Sequence, residues 1–79
     1  MTNDLNTAVT AALRGEWDKA HLIVQDIWSP DAAWIHAVLH KIEGDEGNSR
    51  YWYVRAKKNF EDFADTKDEL RAIKKHLAK

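Results

Sequence analysis

Two histidines four residues apart, His36 and His40, with Glu43 three further on, are the residues here whose types and spacing come nearest to chemistry. On a helix, at about 100° per residue, all three project from one face, away from Trp34, Val38 and Ile42. Histidines at that spacing can chelate one metal ion, which makes His36, His40 and Glu43 a candidate metal site. The zinc-protease pattern needs a glutamate directly after the first histidine or directly before the second. Ala37 and Leu39 stand there instead, so that enzyme class is excluded. The plainer use of the same residues is packing, each imidazole meeting a neighbouring helix and donating to a backbone or carboxylate group. His21 is a further imidazole that a second helix could supply as a third ligand. His76 lies in a basic tail, where it suits a helix end.

The second dense cluster is Tyr51, Trp52, Tyr53 and Arg55. Helical spacing turns Trp52 and Tyr53 inward and puts Tyr51 and Arg55 on the opposite flank. Tyrosine, tryptophan and arginine dominate binding hot spots, so Tyr51 and Arg55 are candidate partner-binding residues. The alternative is that Arg55 stacks on or pairs with a neighbour such as Glu43 or Asp45. No nucleophile has a base near it in sequence, and no glycine-rich phosphate loop occurs, so no catalytic residue or cofactor is assigned. Asp45 and Glu46 sit at a turn, where they face the positive end of the following helix.

Charge points the same way. The 79 residues carry 12 Lys/Arg against 13 Asp/Glu, a formal net charge of −1, which gives no overall attraction to nucleic acid or an anionic membrane. Lys57, Lys58, Lys74, Lys75 and Lys79 make the C-terminal half basic. Glu61, Asp62, Asp65, Asp68 and Glu69 interrupt that patch and weaken any phosphate attraction. With no cysteine, no basic start resembling a signal peptide and no apolar run of membrane-spanning length, a cytoplasmic protein is expected.

The elements that must position these residues are helices. Leu5 to Arg14 reads as a first helix, capped by Thr2 or Asn3 and ended by Gly15. A second runs from Trp17 or Asp18 to about Trp28, with Ala20, Ile23, Val24 and Ile27 on its apolar side. Trp28 is then a packing plug between units. Ser29-Pro30-Asp31 opens a third helix with a capping hydroxyl, a proline at the first position and an acid, and Gly44 closes it. A fourth begins near Gly47–Asn48 and continues to about Lys58, burying Ser49, Trp52, Tyr53, Ala56 and Phe60. Phe60 to Asp65 is a connector with inward phenylalanines. Thr66-Lys67-Asp68-Glu69 reads as a capping box for a fifth helix, on which Leu70, Ile73 and Leu77 share one side. The fold class is all-α, about five helices in a single domain.

The chain also nearly repeats itself after 29 residues: Gly15-Glu16-Trp17-Asp18-Lys19-Ala20 falls on Gly44-Asp45-Glu46-Gly47-Asn48-Ser49. Leu5, Ala8, Val9 and Leu13 likewise fall on Trp34, Ala37, Val38 and Ile42. Ala8, Gly15, Glu16, Trp17, Ala20 and Val24, then Ala37, Gly44, Asp45, Ser49, Tyr53 and Ala56, resemble the pattern of tetratricopeptide repeats. The resemblance covers about residues 2–58, as two short units of about 2–29 and 30–58, with a connector and capping helix over 59–79. It departs from the family in its shorter period and in Glu46, where an aromatic is usual. The stretch from His36 to Tyr53 also looks like small bacterial proteins, a likeness that brings no activity with it.

The resemblance implies two antiparallel helix pairs and a peptide-binding groove lined by the first helix of each. The corresponding positions include Trp34, Val38 and Lys41, and Lys41 alone could clamp a carboxylate. So apolar a groove must be covered. Three covers are available: the fifth helix, a second copy of the chain, or a partner's amphipathic helix. The expectation is a helical-repeat module that binds a protein partner or itself, with a metal or small-molecule site at His36, His40 and Glu43 as the alternative.

Overall fold

The computed structural model describes residues 2–78, with side chains from Asp4 onward. The expected cap at Thr2 or Asn3 and the basic group of Lys79 lie outside the described side chains. Five α-helices occur among the described residues: α1 (Thr2–Leu13), α2 (Trp17–Val24), α3 (Pro30–Glu43), α4 (Glu46–Ala56) and α5 (Thr66–Leu77), with a 3₁₀ turn at Phe60–Asp62 before the last. Helices α1 and α2 form one antiparallel pair and α3 and α4 a second, and α5 folds back to pack on α1 and α3.

Helix α3 is the axis of the molecule. Nine consecutive residues, Ala32 to His40, are buried, because this helix meets α1, α2, α4 and α5 on different sides. A helix apolar all round belongs inside, and Ala-Ala-Trp-Ile-His-Ala-Val-Leu-His is nearly that. Its start is the one read from sequence: the Ser29 hydroxyl accepts from the Ala32 amide at 3.1 Å and Pro30 follows. Gly44, at φ +86°, ends it in the left-handed region, as Gly15 at φ +79° follows α1. Small residues at matching positions let the paired helices approach. Ala8, Ala20, Ala37 and Ser49 are fully buried, and the Ser49 hydroxyl donates to the Ala37 carbonyl at 2.7 Å.

Four local expectations are corrected. Helix α2 stops at Val24, well short of Trp28. Gln25 and Asp26 turn the chain out of the helix, and Ser29 before Pro30 is extended at φ −152°. Trp28 is consequently no plug between units: it is 84% exposed. Helix α4 starts earlier than expected, because the Asp45 carboxylate caps it by accepting from the Asn48 amide. The expected capping box at Thr66 is absent. Asp65 is the cap, accepting from the Lys67 amide at 3.2 Å, and Glu69 turns into the core.

Helix α5 fills the groove. Leu70 and Ile73 are buried in the core that contains Val38, and Leu77 packs at its edge. The seal is also polar. Trp34 Nε1 donates to Glu69 Oε2 at 2.9 Å and the Tyr53 hydroxyl donates to the same oxygen at 2.7 Å. Lys41 Nζ lies 3.0 Å from Glu69 Oε1 and 2.8 Å from the carbonyls of Phe60 and Phe63. Burial and the Glu69 carboxylate push the Tyr53 hydroxyl pKa well up, so it stays a donor. No described helix is long and apolar enough to cross a membrane.

Candidate functional site

With the groove closed, the residues that remain for function lie on the opposite side of α3, between α2 and α4. His36 and His40 leave α3 on that side. His21 reaches them from α2, and Trp52 covers them from α4. One ring nitrogen from each of His21, His36 and His40 lies within 4.8 Å of the other two. The rings pack as an aromatic stack: His21 meets His36 edge-on at 4.7 Å between centroids, and His36 lies parallel to His40 at 5.0 Å. Trp17 stacks on His21 at 4.7 Å and Trp52 on His36 at 3.9 Å, walling the cluster at both ends. Trp17 is itself held by its indole N–H, which donates to the Leu39 carbonyl at 2.6 Å.

The imidazoles differ in their polar partners. Glu43 Oε1 lies 2.5 Å from His40 Nδ1, where the carboxylate oxygen accepts from the ring N–H. The rings of His21 and His36 have no hydrogen-bond partner among the described residues. Burial lowers the His36 pKa to about 4, and the neighbouring His21 and His40 push the same way. Burial and His40 lower that of His21 as well, against the smaller opposing pull of Glu43 and Asp18. Both are therefore neutral at pH 7.

Trp52 also forms one wall of a cleft of about 360 Å³ at the outer edge of the same surface. Ile27, Trp28, Pro30 and Ala33 supply most of the remaining apolar lining, and Arg55 stands at the rim. The Arg55 guanidinium lies 5.6 Å from the ring centres of both Trp28 and Trp52 and 5.5 Å from that of Tyr51, and it donates to the Tyr51 hydroxyl at 3.2 Å. Neither Glu43 nor Asp45 pairs with it. Among the described residues no carboxylate does.

The residues read from sequence are thus divided between two faces. Trp34, Val38 and Lys41 sit beneath or against α5, in the internal seal. His36 and His40 converge with His21 from α2 as the third group, and Glu43 bonds to His40. Tyr51 and Arg55 are together at the cleft. His76 pairs with Asp31 at 3.1 Å, joining the end of α5 to the start of α3. Sequence reasoning missed Trp28 as an exposed residue, because it carried α2 on as far as Trp28. No family model, curated protein or solved structure matches the chain.

Proposed function

We propose that this chain is a protein-binding module whose cleft between Trp28, Trp52 and Arg55 takes an apolar side chain flanked by a carboxylate from a partner protein. The observation that carries the reading is Arg55. Its charge is held among three aromatic rings at the rim of an apolar cleft, with no carboxylate among the described residues to neutralise it. Aromatic and arginine side chains grouped in this way are the usual content of binding hot spots, and a partner carboxylate supplies the missing charge. An exposed tryptophan beside the cleft adds apolar area with no other evident use.

A second copy of the chain fits less well. A two-fold interface centred on this cleft would bring two unneutralised guanidinium groups together. The likeness to tetratricopeptide repeats supports a binding role in general. The surface proposed differs from the family's groove, which α5 occupies here. A cytoplasmic, bacterial setting accords with a cysteine-free chain and with the likeness of residues 36–53 to small bacterial proteins.

Selection from a random peptide display library tests the proposal. The expected consensus pairs a leucine, isoleucine, phenylalanine or proline with a neighbouring aspartate or glutamate, and both Trp28→Ala and Arg55→Glu abolish the enrichment. A basic consensus, none at all, or one indifferent to both substitutions contradicts it. So does sedimentation showing that the cleft is consumed in a dimer.

A further inference from the structure

The three imidazoles beside the cleft form a site of a different kind. We propose that His21, His36 and His40 together bind one divalent transition-metal ion of the zinc class, leaving an open coordination position toward solvent. The first ground is convergence. Two histidines one turn apart on α3 and a third from α2 bring three ring nitrogens within 4.8 Å of one another. Tetrahedral coordination at 2.0–2.1 Å places nitrogens roughly 3.4 Å apart, so the rings need close inward by no more than about 1.4 Å.

The second ground is what the rings lack. His36 is 5% exposed, yet neither it nor His21 spends a ring nitrogen on a hydrogen bond within the described residues. At the same time no fully buried side-chain nitrogen or oxygen among the described residues lacks a partner. The unpartnered nitrogens of His21 and His36 therefore still reach the surface, which gives an ion its route in.

The third ground is the outer shell. Glu43 accepts from His40 Nδ1 at 2.5 Å, the carboxylate–imidazole arrangement that sets the tautomer and raises the basicity of a metal-binding histidine. An all-imidazole donor set suits zinc, copper, nickel or iron rather than magnesium or calcium. The neighbouring group of His40, Glu43 and Asp45 is a poorer candidate. Its two acids are exposed, and Asp45 already holds the Asn48 amide and side chain.

The test uses the full chain, freed of metal by chelation, with zinc followed by calorimetry and cobalt by visible absorption. One ion per chain and the intense absorption of a four-coordinate cobalt centre are expected, together with a higher unfolding temperature in zinc. His21→Phe and His36→Phe keep aromatic packing and remove the donor. Each should weaken binding by more than the 10- to 100-fold expected of Glu43→Gln. Trp28→Ala should leave zinc affinity unchanged, which separates this site from the peptide cleft. The proposal is overturned if a His21→Phe chain with unaltered helical circular dichroism binds zinc as well as the original, since a simple pair on α3 would then suffice. It is equally overturned if the folded chain takes up no stoichiometric zinc.

Discussion

Trp34 donates its indole N–H to the Glu69 carboxylate at 2.9 Å, and this bond ties the helix that carries the histidines to the helix that closes the groove. Glu69 is 1% exposed, so its charge depends on Lys41, 3.0 Å away. Removing one partner of a buried ion pair leaves an uncompensated charge, which costs about 3–5 kcal/mol. Lys41→Met should lower stability by about that much in urea unfolding. Adding Glu69→Gln should restore part of the loss, because a neutral amide oxygen still accepts from Trp34 and Tyr53.

The neutral histidines give a pH dependence of definite sign. His36 titrates at about 4 in the folded chain against an ordinary 6.5, so the unfolded chain binds more protons between those values. Stability therefore rises with pH through that window and is lost as pH falls from 6.5 toward 4. His21 and His40 face the ring and oppose its charging, while Glu43 and Asp18 act on His21 and oppose the lowering of its pKa. The contribution of His36 is on the order of 3 kcal/mol. In chelator, urea midpoints across this range should fall steeply for the original chain and less steeply for His36→Phe.

Backbone conformation supplies a pair of opposite outcomes. Lys57 ends α4 at φ +61°, where a side chain is strained, and Gly44 ends α3 at φ +86°. Lys57→Gly should stabilise the fold by up to about 1 kcal/mol, while Gly44→Ala should destabilise it by about 1 kcal/mol. A methyl group at Gly44 would meet no atom within 4 Å, so the loss is conformational rather than steric. Thermal unfolding of the two variants checks both signs.

Trp28 should separate binding from folding. At 84% exposure it contributes little to the core, so Trp28→Ala should change stability by less than about 0.5 kcal/mol. The same change should abolish peptide enrichment. Denaturant unfolding of the variant, set beside its selection result, makes the comparison.

Much of the fold could be read from residue types. The helix boundaries at Gly15, Ser29-Pro30 and Gly44 follow from chemistry within a few residues, and the apolar face of α5 follows from Leu70, Ile73 and Leu77. Glu69 could not be placed in this way. At the fourth position after Asp65 it looks like a helix-start carboxylate, and only the arrival of Lys41, Trp34 and Tyr53 from three other turns of chain makes burial favourable. The candidate site was half legible. One helix carries His36 and His40, so spacing alone aligns them. His21 belongs to another helix, and its approach depends on how α2 packs on α3. Trp28 went astray because periodicity carried α2 forward, whereas the chain turns out of the helix at Gln25 and Asp26.

The tryptophans make the most direct test of the central claim, that recognition occurs at the outer cleft and not in the groove. The four indole N–H groups report three places: Trp28 and Trp52 the cleft, Trp17 the histidine cluster, Trp34 the seal beneath α5. Their resonances should be followed by heteronuclear NMR as a selected acidic–apolar peptide is added. Shifts at Trp28 and Trp52 with Trp34 unmoved are predicted. A shift at Trp34 with Trp28 unmoved would mean that the peptide displaces α5 and enters the groove, and would contradict the account.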